Sequence, residues 1–295
     1  MRWRGERRST NVEDRRGMRV PRGIALGGGS GCGLLVLLGL GMLFGVDPLQ
    51  LLPLLTDTSQ VPTTPYDDSG GGGERGSAEP PQDEPAQFVS TVLASTEDVW
   101  SELFRGGGSE YRKPALVLFT DVVDSACGMA ESAVGPFYCP TDHKVYIDLG
   151  FYDELRSRFG APGDFAQAYV IAHEVGHHVQ NLLGVSREAQ QLQRQLGEAE
   201  ANAVSVRVEL QADCYAGVWA HHAERMRQIL EAGDIEEALG AASAIGDDRI
   251  QHQSQGHVVP DSFTHGSSAQ RQRWFKAGVE SGDVAACDTF SRSEP

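Results

Sequence analysis

Apolar residues recur at helical spacing through most of the second half of the chain. They predict one helix over Asp164–Leu183, with Asp164 as its N-cap and Gly184 as its C-terminal stop. A longer helical stretch begins at Ser186, polar in its first half and apolar on all sides in its second. Another helix is predicted over residues 234–250, where apolar positions recur along one side.

Short apolar runs come before these helices and predict strands. The runs cover residues 115–119, 136–139 and 144–149. One or two helices are predicted ahead of them, over residues 88–104, and one short helix after them. The sequence therefore predicts an α+β fold, mostly helical, with a small antiparallel or mixed sheet that precedes the Asp164–Leu183 helix.

The N-terminal part of the chain has a different pattern. Residues 23–46 carry no charged side chain, and this length is enough to cross a hydrocarbon core about 30 Å thick, so they predict one transmembrane helix. A cleavable signal peptide is the alternative, although no Ala-x-Ala site follows. Residues 1–22 are polar and predicted to be disordered. Residues 47–84 are predicted to form a flexible linker, and residues 85–295 the folded domain.

Charge is distributed unevenly along the chain, which bears on orientation and on partners. The 295 residues carry a formal net charge of −16. Residues 1–22 hold eight arginines and three acidic residues, a charge of +5, which leaves −21 for the remainder. This negative charge argues against nucleic acid or an anionic lipid surface as the binding partner of the domain. Because the arginines precede the apolar stretch, they predict a single-pass protein of the cell membrane, with a cytoplasmic N-terminus and an extracytoplasmic domain.

A histidine pair in the Asp164–Leu183 helix carries the candidate chemistry. His173 and His177 are four residues apart, so they lie on one helix face where a single cation can contact both imidazoles. Glu174 lies beside them, poorly placed as a third ligand but well placed to take a proton from a water on the metal. So short a pattern also arises by chance, but its position in mid-helix favours a zinc site.

A catalytic zinc site needs a third protein ligand, and the second helical stretch supplies a candidate. Glu209 and Asp213 are four residues apart in a segment that is apolar all round, which fits poorly with a solvated acidic face. We predict that Glu209 is the third ligand for Zn²⁺. Asp213 is predicted to hold the free ring nitrogen of a ligand histidine.

Five cysteines are present, and Cys32, which lies inside the apolar stretch, is predicted to be a small buried residue. The other four fit two disulfides in a domain outside the cytoplasm. Three pairings are possible, and the spacing favours Cys127 with Cys139 and Cys214 with Cys287. A four-cysteine zinc site is the competing interpretation, but the chain has no close cysteine pair to support it.

The chain resembles the putative neutral zinc metallopeptidases of bacteria, a family of single-span membrane proteins. The segments that carry the resemblance are 23–48, 135–140, 145–148, 173–180, 209–214 and 263–271. The resemblance implies a zincin-like metallopeptidase domain. In zinc peptidases of that layout an extended substrate pairs with a sheet edge above the metal helix, and Val145–Asp148 is the candidate edge. An ordinary core strand is the alternative for that segment.

Two further histidines are candidates for positions near the metal. Peptide hydrolysis builds an oxyanion that needs a donor besides the metal, and His265, in a loop after the ligand helix, is the candidate. An exposed loop histidine is the alternative. His178 follows a ligand but points about 100° around the helix from it, so it is predicted to be a surface or packing residue.

These residues together predict a membrane-anchored zinc endopeptidase that acts on protein or peptide substrates. The competing hypothesis is a membrane-tethered binding or scaffold protein whose zinc is structural or whose site is catalytically silent. A fourth protein ligand, such as His178 or a nearby cysteine, would favour that second hypothesis.

Overall fold

A computed structural model describes residues 1–17, 83–131 and 135–291. The predicted membrane span, Cys32 and almost all of the predicted linker lie outside the described residues. Within those ranges, no helix is both long enough and apolar enough to cross a membrane.

The sheet is mixed and small, as the strand pattern predicted. The strands are β1 Val12–Asp14, β2 Ala115–Phe119, β3 Val122–Ser125, β4 Gly128–Glu131, β5 Phe137–Cys139 and β6 Lys144–Asp148. The order in the sheet is β1-β2-β6-β5, with β1, β2 and β6 parallel and β5 antiparallel to β6. A separate antiparallel ribbon, β3 with β4, was not predicted.

The predicted sheet edge is wrong. Strand β6 contains Val145–Asp148 and lies between β2 and β5, so its backbone groups face strands on both sides. The edge nearest to it is β5, which pairs with β6 alone in the described sheet. A short apolar run shows that a strand is buried, but it does not show whether the strand has one neighbour or two.

Helices make up most of the described chain, which confirms the predicted α+β class. They are α1 Glu84–Gly106, α2 Gly150–Ser157, α3 Asp164–Leu183, α4 Val185–Gln193, α5 Glu198–Arg227, α6 Asp234–Ala244, α7 Asp247–Gln255 and α8 Ser268–Ser281. Two short 3₁₀ segments are Pro260–Ser262 and Val284–Cys287.

The bounds of α3 agree with the prediction, and Gly184 ends the helix with a φ of 86°. Its N-cap is Gly163 rather than Asp164. The single helix predicted over residues 234–250 is instead two helices, divided at Gly246. A Cβ on Gly246 would lie 2.4 Å from the Ser268 backbone nitrogen, so close packing against the start of α8 explains the break.

Helices α3, α5 and α8 pack closely enough to bring buried polar side chains together. A Cβ on Gly217 of α5 would lie 2.1 Å from the Phe275 carbonyl oxygen, and one on Gly278 of α8 would lie 2.0 Å from the Cys214 carbonyl oxygen. Only glycine permits this contact between the two backbones. This contact holds α8 against α5, the helix that carries Glu209.

Both favoured disulfides are present. Cys127 in the β3–β4 ribbon bonds to Cys139 at the end of β5, and Cys214 in α5 bonds to Cys287. The four-cysteine zinc site is therefore excluded, because all four thiols are used in these bonds.

The N-terminal segment, residues 1–17, is ordered, and the prediction of a disordered tail is wrong for these residues. Trp3 is buried edge-on against Phe88, with ring centroids 5.4 Å apart, and β1 extends the sheet beside β2. The buried carboxylate of Glu97 accepts hydrogen bonds from side chains of this segment: Arg7, Ser9 and Asn11. The segment and the C-terminal domain form one compact unit.

Candidate metal centre

Helices α3 and α5 bring the three predicted ligands to one point. His173 Nε2 lies 3.1 Å from Glu209 Oε2, and His177 Nε2 lies 3.4 Å from Glu209 Oε1. One donor atom from each residue lies within 4.8 Å of the other two. Gly176 makes this approach possible, because a Cβ there would lie only 3.0 Å from the Ala212 carbonyl oxygen of α5.

The donor set fits zinc. Two imidazole nitrogens and one carboxylate oxygen form a ligand set typical of catalytic zinc sites, which keep one further position for water or substrate. Burial by itself would raise the pKa of Glu209, but the neighbouring His177 and His173 outweigh it and hold that pKa well below its usual value. Glu209 therefore offers an ionised carboxylate to a cation.

Asp213 lies next to His173, one of the predicted ligands. Its Oδ1 lies 2.8 Å from His173 Nδ1, which leaves Nε2 of that ring directed at the shared point. Two partners of Asp213 were not predicted. The Arg271 side chain, 2% exposed, donates from Nε to Asp213 Oδ2 at 2.8 Å, and the Tyr169 hydroxyl donates to Oδ1.

His177 has an equivalent partner that sequence reasoning missed. Its Nδ1 lies 2.8 Å from Gln180 Oε1. The Gln180 amide nitrogen donates to the Val208 carbonyl oxygen at 2.7 Å and to Gln211 Oε1 at 3.0 Å, which fixes the amide with its oxygen toward His177. The three-residue separation of His177 and Gln180 on one helix was the available signal.

Glu174 is buried beside the two histidines and lines the same cleft. Burial raises the pKa of this carboxyl, and the neighbouring His177 and His173 only partly offset that effect. A carboxylate with a raised pKa is a stronger base than an exposed one, which suits a group that must accept a proton and then release it.

His265 reaches the cleft from the loop before α8, and its side chain is 52% exposed. Asp247 at the start of α7 positions it. One oxygen of Asp247 accepts the backbone N–H of His265 at 2.6 Å, and the other lies 3.2 Å from His265 Nδ1. That hydrogen bond raises the pKa of His265. Asp247 was missed because the sequence placed it inside one continuous helix.

The metal centre lies in a cleft of about 670 Å³. Edge strand β5 contributes Phe137 and Tyr138 to its wall, and α4 contributes Ala189 and Gln190. The two ligand histidines, Glu174, Glu209 and His265 all line it. The cleft therefore joins a candidate metal centre to a sheet edge.

Comparison with known proteins agrees with this donor set. The family model described as putative neutral zinc metallopeptidase matches residues 1–290. The chain belongs to this family. The match includes the N-terminal segment, which the structure packs against the domain.

Similar proteins occur in Escherichia coli and Mycobacterium tuberculosis. The uncharacterized protein YpfJ of Escherichia coli is 51% identical over 300 residues, covering 99% of this chain and all of the relative. The uncharacterized protein Rv2575 of Mycobacterium tuberculosis is 44% identical over 266 residues, 86% of each chain. No solved structure matches significantly.

His178 is a buried packing residue in this family member, as predicted. Its Nδ1 lies 3.0 Å from the Tyr138 hydroxyl and its Nε2 lies 2.6 Å from the Arg112 carbonyl oxygen. Burial lowers the pKa of His178 to about 4. Because both ring nitrogens are engaged and the four cysteines are in disulfides, neither candidate fourth ligand named above is available, and only three residues converge on the centre in the part of the chain described.

Proposed function

We propose that this protein is a zinc-dependent endopeptidase that hydrolyses peptide bonds of protein or peptide substrates. The observation that carries the proposal is the placement of Glu174, a buried carboxylate beside three converging metal ligands in an open cleft. A structural zinc site would need a fourth protein ligand, and His178 and the cysteines cannot supply it. The form of the binding or scaffold hypothesis in which the zinc is structural is therefore disfavoured, and the form with a catalytically silent site is tested by the activity measurement below.

The roles of the residues follow from their surroundings. His173, His177 and Glu209 would hold a zinc ion, which would polarise the scissile carbonyl and acidify a water. Glu174 accepts the proton of the attacking water and passes it to the leaving amine. His265, with Nδ1 toward Asp247, leaves its other ring nitrogen available to donate to the oxyanion.

Substrate binding is proposed at β5. An extended peptide can add to an exposed sheet edge through main-chain hydrogen bonds, and β5 is the edge strand that lines the cleft. With a substrate-binding sheet edge beside the metal helix, the domain would be a zincin-like peptidase.

We also propose that the domain works outside the cytoplasm at the cell membrane, anchored through residues 23–46. Two disulfides favour an oxidising compartment. Because residues 1–17 pack against the domain, we place both on the same side of the membrane. In this proposal residues 23–46 attach to the membrane without crossing it once from side to side, which differs from the single-pass topology that the arginines predict. A membrane-impermeant maleimide should label the thiol of Thr10→Cys in intact cells. If that thiol stays unlabelled, the N-terminal segment is cytoplasmic, as the arginines predict.

The activity is tested by cleavage profiling of a peptide library with the full chain, with and without a zinc chelator. We expect cuts that disappear on chelation and return when zinc is restored. If the zinc-loaded, folded protein cuts no peptide, the endopeptidase proposal fails. The full chain is needed because residues 1–17 are part of the fold.

A further inference from the structure

Strand β5 is short and pairs with one strand in the described part of the sheet, so its own backbone hydrogen bonds hold it weakly. Two side chains tie it to the rest of the sheet layer. Phe137 stacks on Tyr146 of β6 with ring centroids 4.8 Å apart, and Cys139 is bonded to Cys127 in the β3–β4 ribbon. Neither of these contacts reaches helix α3, which carries the metal ligands.

Tyr138 makes the connection from β5 to α3. Its side chain leaves the strand on the face opposite to Phe137, as the alternation of a strand requires. The Tyr138 hydroxyl lies 3.0 Å from His178 Nδ1, 3.0 Å from Asn181 Nδ2 and 3.3 Å from His143 Nδ1 in the turn between β5 and β6. We call these three residues, Tyr138, His178 and Asn181, the strand anchor.

The direction of each hydrogen bond in the strand anchor is determined. The Arg112 carbonyl oxygen, 2.6 Å from His178 Nε2, can only accept, so the proton of His178 is on Nε2. Nδ1 of His178 is therefore an acceptor, and the Tyr138 hydroxyl donates to it. The Asn181 amide then donates to the Tyr138 oxygen. Each member thus has a compatible partner, which favours one fixed arrangement.

The helix positions of the strand anchor link it to the metal centre. His178 directly follows the ligand His177 in the chain. Asn181 lies four residues after His177, which is about one helical turn. Because α3 is a continuous helix through this region, a shift of β5 relative to the strand anchor is also a shift relative to the ligands.

We propose that the strand anchor positions β5 against the metal centre and so sets where an extended substrate lies relative to the attacking water. The inference rests on the proposed function, since it requires β5 to bind peptide. Tyr138, His178 and Asn181 are positioning residues and do not touch the reacting atoms. Misplacement of a substrate by about 1 Å is enough to cost on the order of a hundredfold in rate.

The test uses Tyr138→Phe in the full chain, with Tyr111→Phe as a matched control. The Tyr111 ring packs edge-on against His178 at 5.7 Å, but its buried hydroxyl has no hydrogen-bond partner among the residues described. Each change removes one hydroxyl beside the same histidine. Only the first should loosen the strand anchor.

Binding is measured in a Glu174→Gln background, so that it does not depend on turnover. The probe is fluorescein-labelled, oxidised insulin B chain, followed by fluorescence polarisation with zinc present. We expect Tyr138→Phe to raise the Kd about five- to tenfold, and Tyr111→Phe to leave it unchanged. Zinc content should equal that of the parent in both variants, because neither hydroxyl contacts a ligand.

Kinetics with Glu174 restored provide the second readout. Tyr138→Phe should lower kcat for long peptides as well as raise KM, because a displaced β5 misplaces the scissile bond relative to the attacking water. Unchanged Kd, KM and kcat in Tyr138→Phe would contradict the proposed role of the strand anchor and leave the proposed peptidase activity standing. If the wild type cleaves no peptide, the proposed function fails. The comparison of Kd values still tests whether the strand anchor positions β5 for peptide binding. Absence of binding in the parent would also overturn it, because β5 would have no peptide to position.

Discussion

The metal centre and the N-terminal segment are both held by buried charged and polar side chains, yet only the first could be found from sequence. In the metal centre, His173 and His177 are four residues apart on one helix, and Glu209 and Asp213 are four apart on another. In the N-terminal segment, Arg7 contacts Glu97, 90 residues further along the chain. Helical periodicity shows the first arrangement, and no local pattern shows the second.

The difference teaches how a charged side chain should be interpreted. An arginine-rich tail read by itself suggests a solvated, disordered segment. Glu97 is only 1% exposed, however, and a buried carboxylate requires donors, which here come from Arg7, Ser9 and Asn11. We therefore expect substitutions in the metal centre to change zinc binding and activity, and substitutions in the N-terminal segment to change the stability of the fold.

The largest effect is expected at the metal centre. Glu209→Ala should lose most of its zinc and with it all measurable hydrolysis, because two imidazoles alone bind the ion weakly. Zinc content after gel filtration, measured by atomic absorption, checks this against Glu188→Ala, an exposed acidic residue on α4. Stoichiometric zinc in Glu209→Ala would remove Glu209 from the ligand set.

Asp213→Asn tests the layer behind the ligands. Replacing the carboxylate that holds His173 should weaken zinc binding about 10- to 100-fold and leave Arg271 without its buried partner. Competition with a chromophoric chelator measures the affinity. A zinc affinity equal to that of the wild type would mean that Asp213 contributes to packing and not to zinc binding.

Glu97→Ala tests the other region. Removal of the acceptor shared by Arg7, Ser9 and Asn11 should lower the free energy of unfolding by about 1–3 kcal/mol. Glu102→Ala on the same helix is the control, since its exposed pair with Arg105 contributes little. Urea unfolding measures both, and zinc content should not change. A stability equal to that of the control would mean that the N-terminal segment adds nothing to the fold.

Asp247→Asn should have the smallest effect, a shift in pH dependence. The hydrogen bond to Asp247 raises the pKa of His265, so the protonated donor persists to higher pH than for an ordinary histidine. Loss of the negative charge lowers that pKa again. The alkaline limb of kcat/KM should therefore move to lower pH, and an unmoved limb would exclude His265 as the donor.

The sequence predicted elements whose pattern is local. Helix α3 was bounded correctly because its apolar periodicity ends at Gly184, and the disulfide pairing followed from the spacing of Cys127 and Cys139. The sheet edge was missed because an apolar run does not specify the number of neighbours. Arg271 was missed because its partner Asp213 is 58 positions away along the chain, and Asp247 because its partner His265 is 18 positions away. Both contacts form only when the chain folds.

The most direct test of the account is the pair of measurements on Glu174→Gln, its zinc content and its hydrolysis of a peptide that the wild type cleaves. Glutamine keeps the shape of the side chain but cannot accept the proton. We predict one zinc ion per chain, unchanged from the wild type, and a loss of activity of at least about a thousandfold. Retained hydrolysis at full zinc occupancy would contradict the assignment of Glu174 and with it the proposed mechanism.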